Sequence, residues 1–212
     1  MLKINEIYAS IQGESSHTGL PCIFIRLTGC NLRCSWCDTA YAFHKGEDFT
    51  VEETVKKVES FSLPLVEVTG GEPLMQEDVY PLMDELLKKN YRVMLETGGA
   101  LPIDKVPEKV IKILDIKCPG SGEEKKNHFE NLKIIKPHDE VKFVLLDRAD
   151  YEWSRDLLQK FDLPTSTQVL FSPVFDKLDL KDLSEWILED RLPVRLQTQL
   201  HKVIWSKNAI GV

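Results

Sequence analysis

The chain has 212 residues, 42% of them hydrophobic and 29% charged, with a formal net charge of −7. That length supports one sizeable core and is short for two, so a single domain over residues 1–212 is expected. The acidic balance argues against a nucleic-acid backbone or an anionic membrane as the main partner. No apolar run approaches membrane length, and "MLKINEIYAS" is charged early and lacks the apolar stretch of a secretory signal. A cytoplasmic location with reduced thiols follows as the expectation.

In chain order, the first strand-like run is "IFIRLTG" (23–29), followed at once by the cysteine-rich "CNLRCSWCDT". Thr50 and Glu53 are spaced as a capping box, and Val51, Val55 and Val58 then recur at helical period. "PLVEVTG" (64–70) reads as the next strand. Val79, Leu82, Met83, Leu86 and Leu87 mark an amphipathic helix with Asn90 as its C-terminal cap. Strands follow at "YRVMLETG" (91–98) and "VIKILDIK" (110–117), then a polar, irregular stretch over 120–139. "EVKFVLL" (140–146), "TQVLFSP" (167–173) and "VRLQTQL" (194–200) complete the strands, with weaker helical patterns at 150–161 and 179–190. Apolar strands alternating with helices predict an α/β fold with right-handed crossovers and a parallel sheet. Six or seven strands with degenerate helices predict an incomplete, partial TIM-type barrel. Chemistry then gathers at the carboxyl ends of the strands. The cysteine loop, "GGEP", "TGG" and "CPGSG" each follow a strand, so all four are expected on one face.

Three of the five cysteines, Cys30, Cys34 and Cys37, form C-x3-C-x2-C. An odd count with three crowded together fits a disulfide framework badly. Structural zinc wants four protein ligands, and neither Cys22 nor His44 has a standard spacing to the trio. A dithiol redox site leaves the third thiol unexplained. Three thiolates can hold three irons of a 4Fe–4S cluster and leave the fourth open. The spacing favours that cluster and leaves zinc as an alternative. Cys22 reads as a small buried residue, and Cys118 stands alone before a Pro-Gly turn.

The cysteine motif with an aromatic before its last member, followed by a strand ending in "GGEP", resembles the radical S-adenosylmethionine superfamily. Within it, "QGE" (12–14), "TG-P" (18–21), Arg26, "CDT" (37–39), "VTGGEP", "LETGG", "DIKCPGSG" and "LQTQLHKVIW" resemble the 7-carboxy-7-deazaguanine synthase family across nearly the whole chain. The resemblance implies conversion of 6-carboxytetrahydropterin to 7-carboxy-7-deazaguanine with loss of ammonia, in queuosine and 7-deazapurine biosynthesis. It implies a 4Fe–4S cluster on the three cysteines, S-adenosylmethionine, and Mg2+ on Thr39. Ile11, Gln12, Gly13, Glu14, Arg26 and Thr69 would hold the pterin. Trp36 would lie near the adenine, and Gly71, Glu72, Cys118, Pro119, Gly120, Ser172, Pro173, Val174 and Phe175 would line the S-adenosylmethionine site. The sequence reads "CPG" and "SPVF" where other members read "SPK" and "QP". The last strand should deliver His201 to the active face, and the α-carboxylate of Val212 would accept from the pterin. A homodimer and an electron donor such as flavodoxin or ferredoxin are expected.

Each residue also has a plainer reading. Gln12 and Glu14 could form a turn, Arg26 a buried ion pair, and Thr39 a helix cap. A glycyl-radical-enzyme activase would share the cysteine loop and "GGEP", and a zinc-stabilised interaction module would need no catalysis.

Overall fold

The computed structural model describes residues 1–207 and 209–211. Its centre is one nine-stranded sheet, made of β1 (Leu2–Ile11), β2 (Pro21–Leu27), β3 (Glu47–Phe49), β4 (Leu65–Gly70), β5 (Arg92–Thr97), β6 (Ile111–Ile116), β7 (Glu140–Leu145), β8 (Gln168–Pro173) and β9 (Arg195–Leu196). The spatial order is β3-β1-β2-β4-β5-β6-β7-β8-β9. From β2 through β9 every pair is parallel, while β1 and β3 are antiparallel additions at one edge. The sheet is open, with β3 and β9 at its two ends, as expected of an incomplete barrel.

Helices α1 (Val51–Glu59), α2 (Val79–Lys88), α3 (Arg148–Phe161), α4 (Leu163–Ser166) and α5 (Leu180–Glu189) serve the crossovers, and α6 (Leu200–Ile204) follows β9. The capping box of α1 is formed: Thr50 accepts from the Glu53 amide and Glu53 from the Thr50 amide. Asn90 terminates α2 in the left-handed region, at φ 63°. Three short 3-10 turns occupy the irregular stretch after β6. The Asn131 side chain organises them, accepting from the Ile103 amide and donating to the Leu101 carbonyl.

Strand parity sorts the apolar residues into two clusters. Ile23, Ile25, Val66, Val68, Val93, Leu95, Leu114, Ile116, Val141 and Phe143 pack outward against the helices. Cys22, Phe24, Leu65, Met94 and Ile113 form a smaller inner cluster, flanked by Tyr8 and Ile111. Cys22 is fully buried there, as expected.

Two differences from the sequence reading have local causes. β1 escapes a period-2 reading because the register shifts between Ile4 and Glu6, which breaks its alternation. The last strand is two residues rather than seven. Gln197 still donates its amide to the Phe171 carbonyl, but the next parallel rung needs an N–H from residue 173, a proline. The chain leaves the sheet there, so His201 sits on α6 and not at a strand end.

Gly70 and Gly71 bring β4 against the cysteine loop. Gly70 adopts φ +146°, and a Cβ on Gly71 would lie 2.0 Å from the Gly29 carbonyl oxygen. The backbone also bonds across this contact, from the Glu72 amide to the Gly29 carbonyl at 2.8 Å. Gly71→Ala should therefore destabilise the cluster-free protein by about 1–3 kcal/mol, read as a lowered urea midpoint at unchanged slope.

Candidate active site

The carboxyl ends of β2, β4, β5, β6 and β7 open onto one cavity of about 340 Å3. The loop after β2 supplies Cys30, Cys34 and Cys37, all half-buried and all lining it. The loop is tied down by its backbone. Cys37 donates its amide to the Cys34 carbonyl at 3.2 Å, and Leu32 donates its amide to Cys30 Sγ at 3.4 Å. The turn after β6 braces it from behind, since Ser35 Oγ donates to the Gly120 carbonyl and the Ser35 amide to the Ser121 carbonyl. The three thiols share the lining of that cavity. Among the described residues, no group of three or more His, Cys, Asp or Glu side chains is placed to hold a single metal ion. Three soft thiolates around one cavity fit a multinuclear iron–sulfur cluster.

Most residues singled out in the sequence converge on this cavity. Ile11, Gln12, Gly13, Glu14, Arg26, Trp36, Thr39, Thr69, Gly71, Val174, Phe175 and His201 all line it. Gly13 is required by close approach: a Cβ there would lie 2.3 Å from His201 Nδ1, and its carbonyl accepts the Leu200 amide at 2.9 Å. Thr39 precedes a short 3-10 turn, yet its side chain makes no capping bond. Its Oγ1 instead lies 3.7 Å from Cys37 Sγ. Arg26 does form the ion pair of the plainer reading, with Glu6 at 2.7 Å and Tyr8 Oη at 2.8 Å, while its side chain still lines the cavity.

Other expected residues lie elsewhere. Glu72, Cys118, Pro119, Gly120, Ser172 and Pro173 do not line the cavity. The Glu72 carboxylate is fully buried and ties two strand ends together, accepting from Thr97 Oγ1 and the Gly98 amide. Cys118 continues the outward phase of Leu114 and Ile116 into the helix-facing core, 3.4 Å from Ser154 Oγ; parity gives the cavity Lys117 instead. The Gly120 amide is engaged by Asp150. Ser172 is buried within the sheet and Pro173 ends β8. Val212 lies outside the described residues.

The sequence reading missed a buried charge network. Arg26, Glu67, Glu96, Asp115 and Lys142 each interrupt an apolar strand, and all five line the cavity. Arg26 alone was singled out; the same signal, one charge amid aliphatic residues in strand after strand, marks the others. Lys142 Nζ lies 2.7 Å from Glu14 and 3.5 Å from Asp115, and also contacts Glu96. Lys117 pairs with Asp115 at 2.9 Å. Burial alone would raise the Glu14 carboxyl, but Lys142, His201 and a bond from Gln199 bring it down to about 2. Glu67 goes the other way: burial first, then the Glu96 carboxylate, push it well above the usual range. The tail is bonded to this site too, through Lys202 to Asp38 at 2.7 Å and Gln199 to Glu14 at 2.9 Å.

Comparison with known proteins agrees with this arrangement. Residues 24–119 match the model of the radical SAM superfamily. The chain is 47% identical to the 7-carboxy-7-deazaguanine synthase of Koribacter versatilis, with both chains fully covered. It is 45% identical to that of Chlorobaculum tepidum, over 100% of this chain and 97% of the relative. The crystal structure of QueE from Escherichia coli superposes with a TM-score of 0.78 at 25% identity, covering 94% of each chain. Streptococcus suis SuiB bound to precursor peptide SuiA shares the fold, at a TM-score of 0.59 and 13% identity over 84% of this chain and 48% of SuiB. The radical SAM match implies a 4Fe–4S cluster, S-adenosylmethionine, a small-molecule substrate and a reductant. With three cluster-type thiols on an open parallel sheet and relatives matched end to end, the chain belongs to the 7-carboxy-7-deazaguanine synthase family of radical SAM enzymes.

Proposed function

We propose that this chain, as a single domain, converts 6-carboxy-5,6,7,8-tetrahydropterin to 7-carboxy-7-deazaguanine with loss of ammonia, in queuosine and 7-deazapurine biosynthesis. One observation supports this above all: the three cysteines and an acceptor-rich floor of carboxylates share a single cavity. Cys30, Cys34 and Cys37 would hold the cluster. When bound, the cluster and S-adenosylmethionine supply the radical that removes a hydrogen atom beside the substrate carboxylate.

The chain's own residues bind and orient. Arg26, a planar fork preset by Glu6 and Tyr8, suits the substrate carboxylate. Thr39, free of any capping bond, suits Mg2+, a hard ion that keeps several waters and takes an anionic ligand from substrate. Gln12, Glu14 and Thr69 offer acceptors to the amino and ring N–H donors of a buried pterin. Lys142 keeps Glu14 ionised for that purpose. Trp36, Gly71, Val174 and Phe175 line the region left for S-adenosylmethionine. A flavodoxin or ferredoxin as electron donor, a homodimeric state and a cytoplasmic location belong to the same reading.

A glycyl-radical activase must admit a protein segment, and a pocket of charged strand residues has no use in that task. A structural zinc site wants four protein ligands, and the cysteine loop offers three thiols. Anaerobic turnover with 6-carboxytetrahydropterin, reductant and S-adenosylmethionine, followed by mass spectrometry of the product, tests the assignment directly. Metal analysis should return about four iron and four sulfide per chain, and stoichiometric zinc would defeat it.

Two substitution sets sharpen the test. Cys30→Ala, Cys34→Ala and Cys37→Ala should each abolish cluster content and product, whereas Cys22→Ala, in the inner apolar cluster, keeps both. Thr39→Ala should retain the cluster and uncoupled cleavage of S-adenosylmethionine. It should lose the stimulation of product formation by Mg2+, with kcat/KM falling by up to ~10²-fold. Unaltered Mg2+ dependence would remove Thr39 from the metal site.

A further inference from the structure

Of the carboxylates around the cavity floor, Glu14, Glu96 and Asp115 each have a lysine partner, and Glu67 has none among the described residues. Glu67 lies in the middle of β4, is 3% exposed and lines the cavity one inward step below Thr69. Its carboxylate accepts one hydrogen bond among the described residues, from Gln12 Nε2. The groups facing it are Tyr8 from β1, Cys22 from β2, Gln12 and Glu14 from the loop after β1, Glu96 from β5 and Lys142 from β7. Lys142 is near, but its ammonium is already shared by three other carboxylates. An isolated buried carboxylate beside two ionised ones is costly, and such a group keeps its proton. A neutral carboxyl differs from its neighbours in kind: it carries an O–H donor as well as acceptor oxygens.

A pterin presents mostly donors, its amino group and ring N–H groups, and ionised carboxylates satisfy those. Its lactam carbonyl is an acceptor, and once buried it needs a donor. On the proposed pterin reading, on which this inference rests, the charged groups nearest Glu67 are otherwise the acceptors Glu14 and Glu96 and the already shared Lys142.

We propose that Glu67 is a specificity-determining residue that acts as a neutral acid, donating a hydrogen bond to the lactam carbonyl of the pterin while Gln12 fixes its orientation. The direction of its acidity shift agrees with this. Glutamine reproduces the donor and acceptor pair without the titration, and leucine removes both.

The test compares wild type, Glu67→Gln and Glu67→Leu in KM and kcat across pH, with cluster content and uncoupled S-adenosylmethionine cleavage measured alongside. The wild-type KM should rise on the alkaline side, and that limb should be absent in Glu67→Gln, whose KM near neutrality stays within about threefold of wild type. Glu67→Leu should raise KM by about 10- to 100-fold, with cluster and cleavage retained. A thermal-melt arm needs no substrate and covers the case in which the leucine variant folds poorly. Because the folded state holds the Glu67 proton more tightly than the unfolded one, ionising it opposes folding increasingly as pH rises. The Tm advantage of Glu67→Gln over wild type should therefore grow with pH. Three results would overturn this inference alone: Glu67→Gln losing as much as Glu67→Leu, an alkaline limb that persists in Glu67→Gln, or a pH-independent Tm difference. No product from wild type would overturn the functional reading, and this inference with it.

Discussion

The site depends on Lys142. Its ammonium sits on the inward face of β7, directly across the ladder from Asp115, and is shared with Glu14 and Glu96. Without that cation, a floor of carboxylates could not stay ionised inside a cavity, since removing one partner of a buried pair leaves uncompensated charge. With it, the floor presents ionised acceptors in fixed positions. The surplus is one carboxylate, Glu67, which takes a proton in place of a cation.

An open barrel must seal its gap with something other than a strand. Here the loop after β1 crosses from one edge toward the other, with the Ser16 amide on Glu140 and Gln197 Nε2 donating to the Ser15 carbonyl. The start of α6 meets it through the Leu200 amide and the Gly13 carbonyl. This explains why "QGE" and the tail act as one unit although they are nearly two hundred residues apart: both cover the gap that a missing strand leaves. It also places His201 beside Glu14, where, with Lys142, it helps hold that carboxyl below its usual range.

The cysteine loop is held by backbone more than by side chains. Gly71 and Glu72 bond to the carbonyls of Leu27 and Gly29, and the turn after β6 supports Ser35. Glu72 then locks the strand ends together through Thr97 and Gly98. "GGEP" and "TGG" therefore have a structural share in the site, positioning the thiols as well as bordering the cavity.

By itself, the sequence determined the alternating strands and helices, the open parallel architecture, the capping box of α1 and the gathering of motifs at one end. These follow from period and local turn chemistry, which act over a few residues. Spacing alone also made Cys30, Cys34 and Cys37 a set. Only the tertiary structure decided which face each charged strand residue takes and who its partner is. The bulge in β1, Pro173 at the last ladder rung and the outward phase of Cys118 each depend on a neighbouring strand. Parity turned the Cys118 side chain away from the cavity and Lys117 toward it, and assembled Arg26, Glu67, Glu96, Asp115 and Lys142 from five strands. The reason is physical: a buried strand group keeps its charge only where another strand supplies its counterpart and otherwise, as at Glu67, sheds it, and that supply exists only after the sheet has formed.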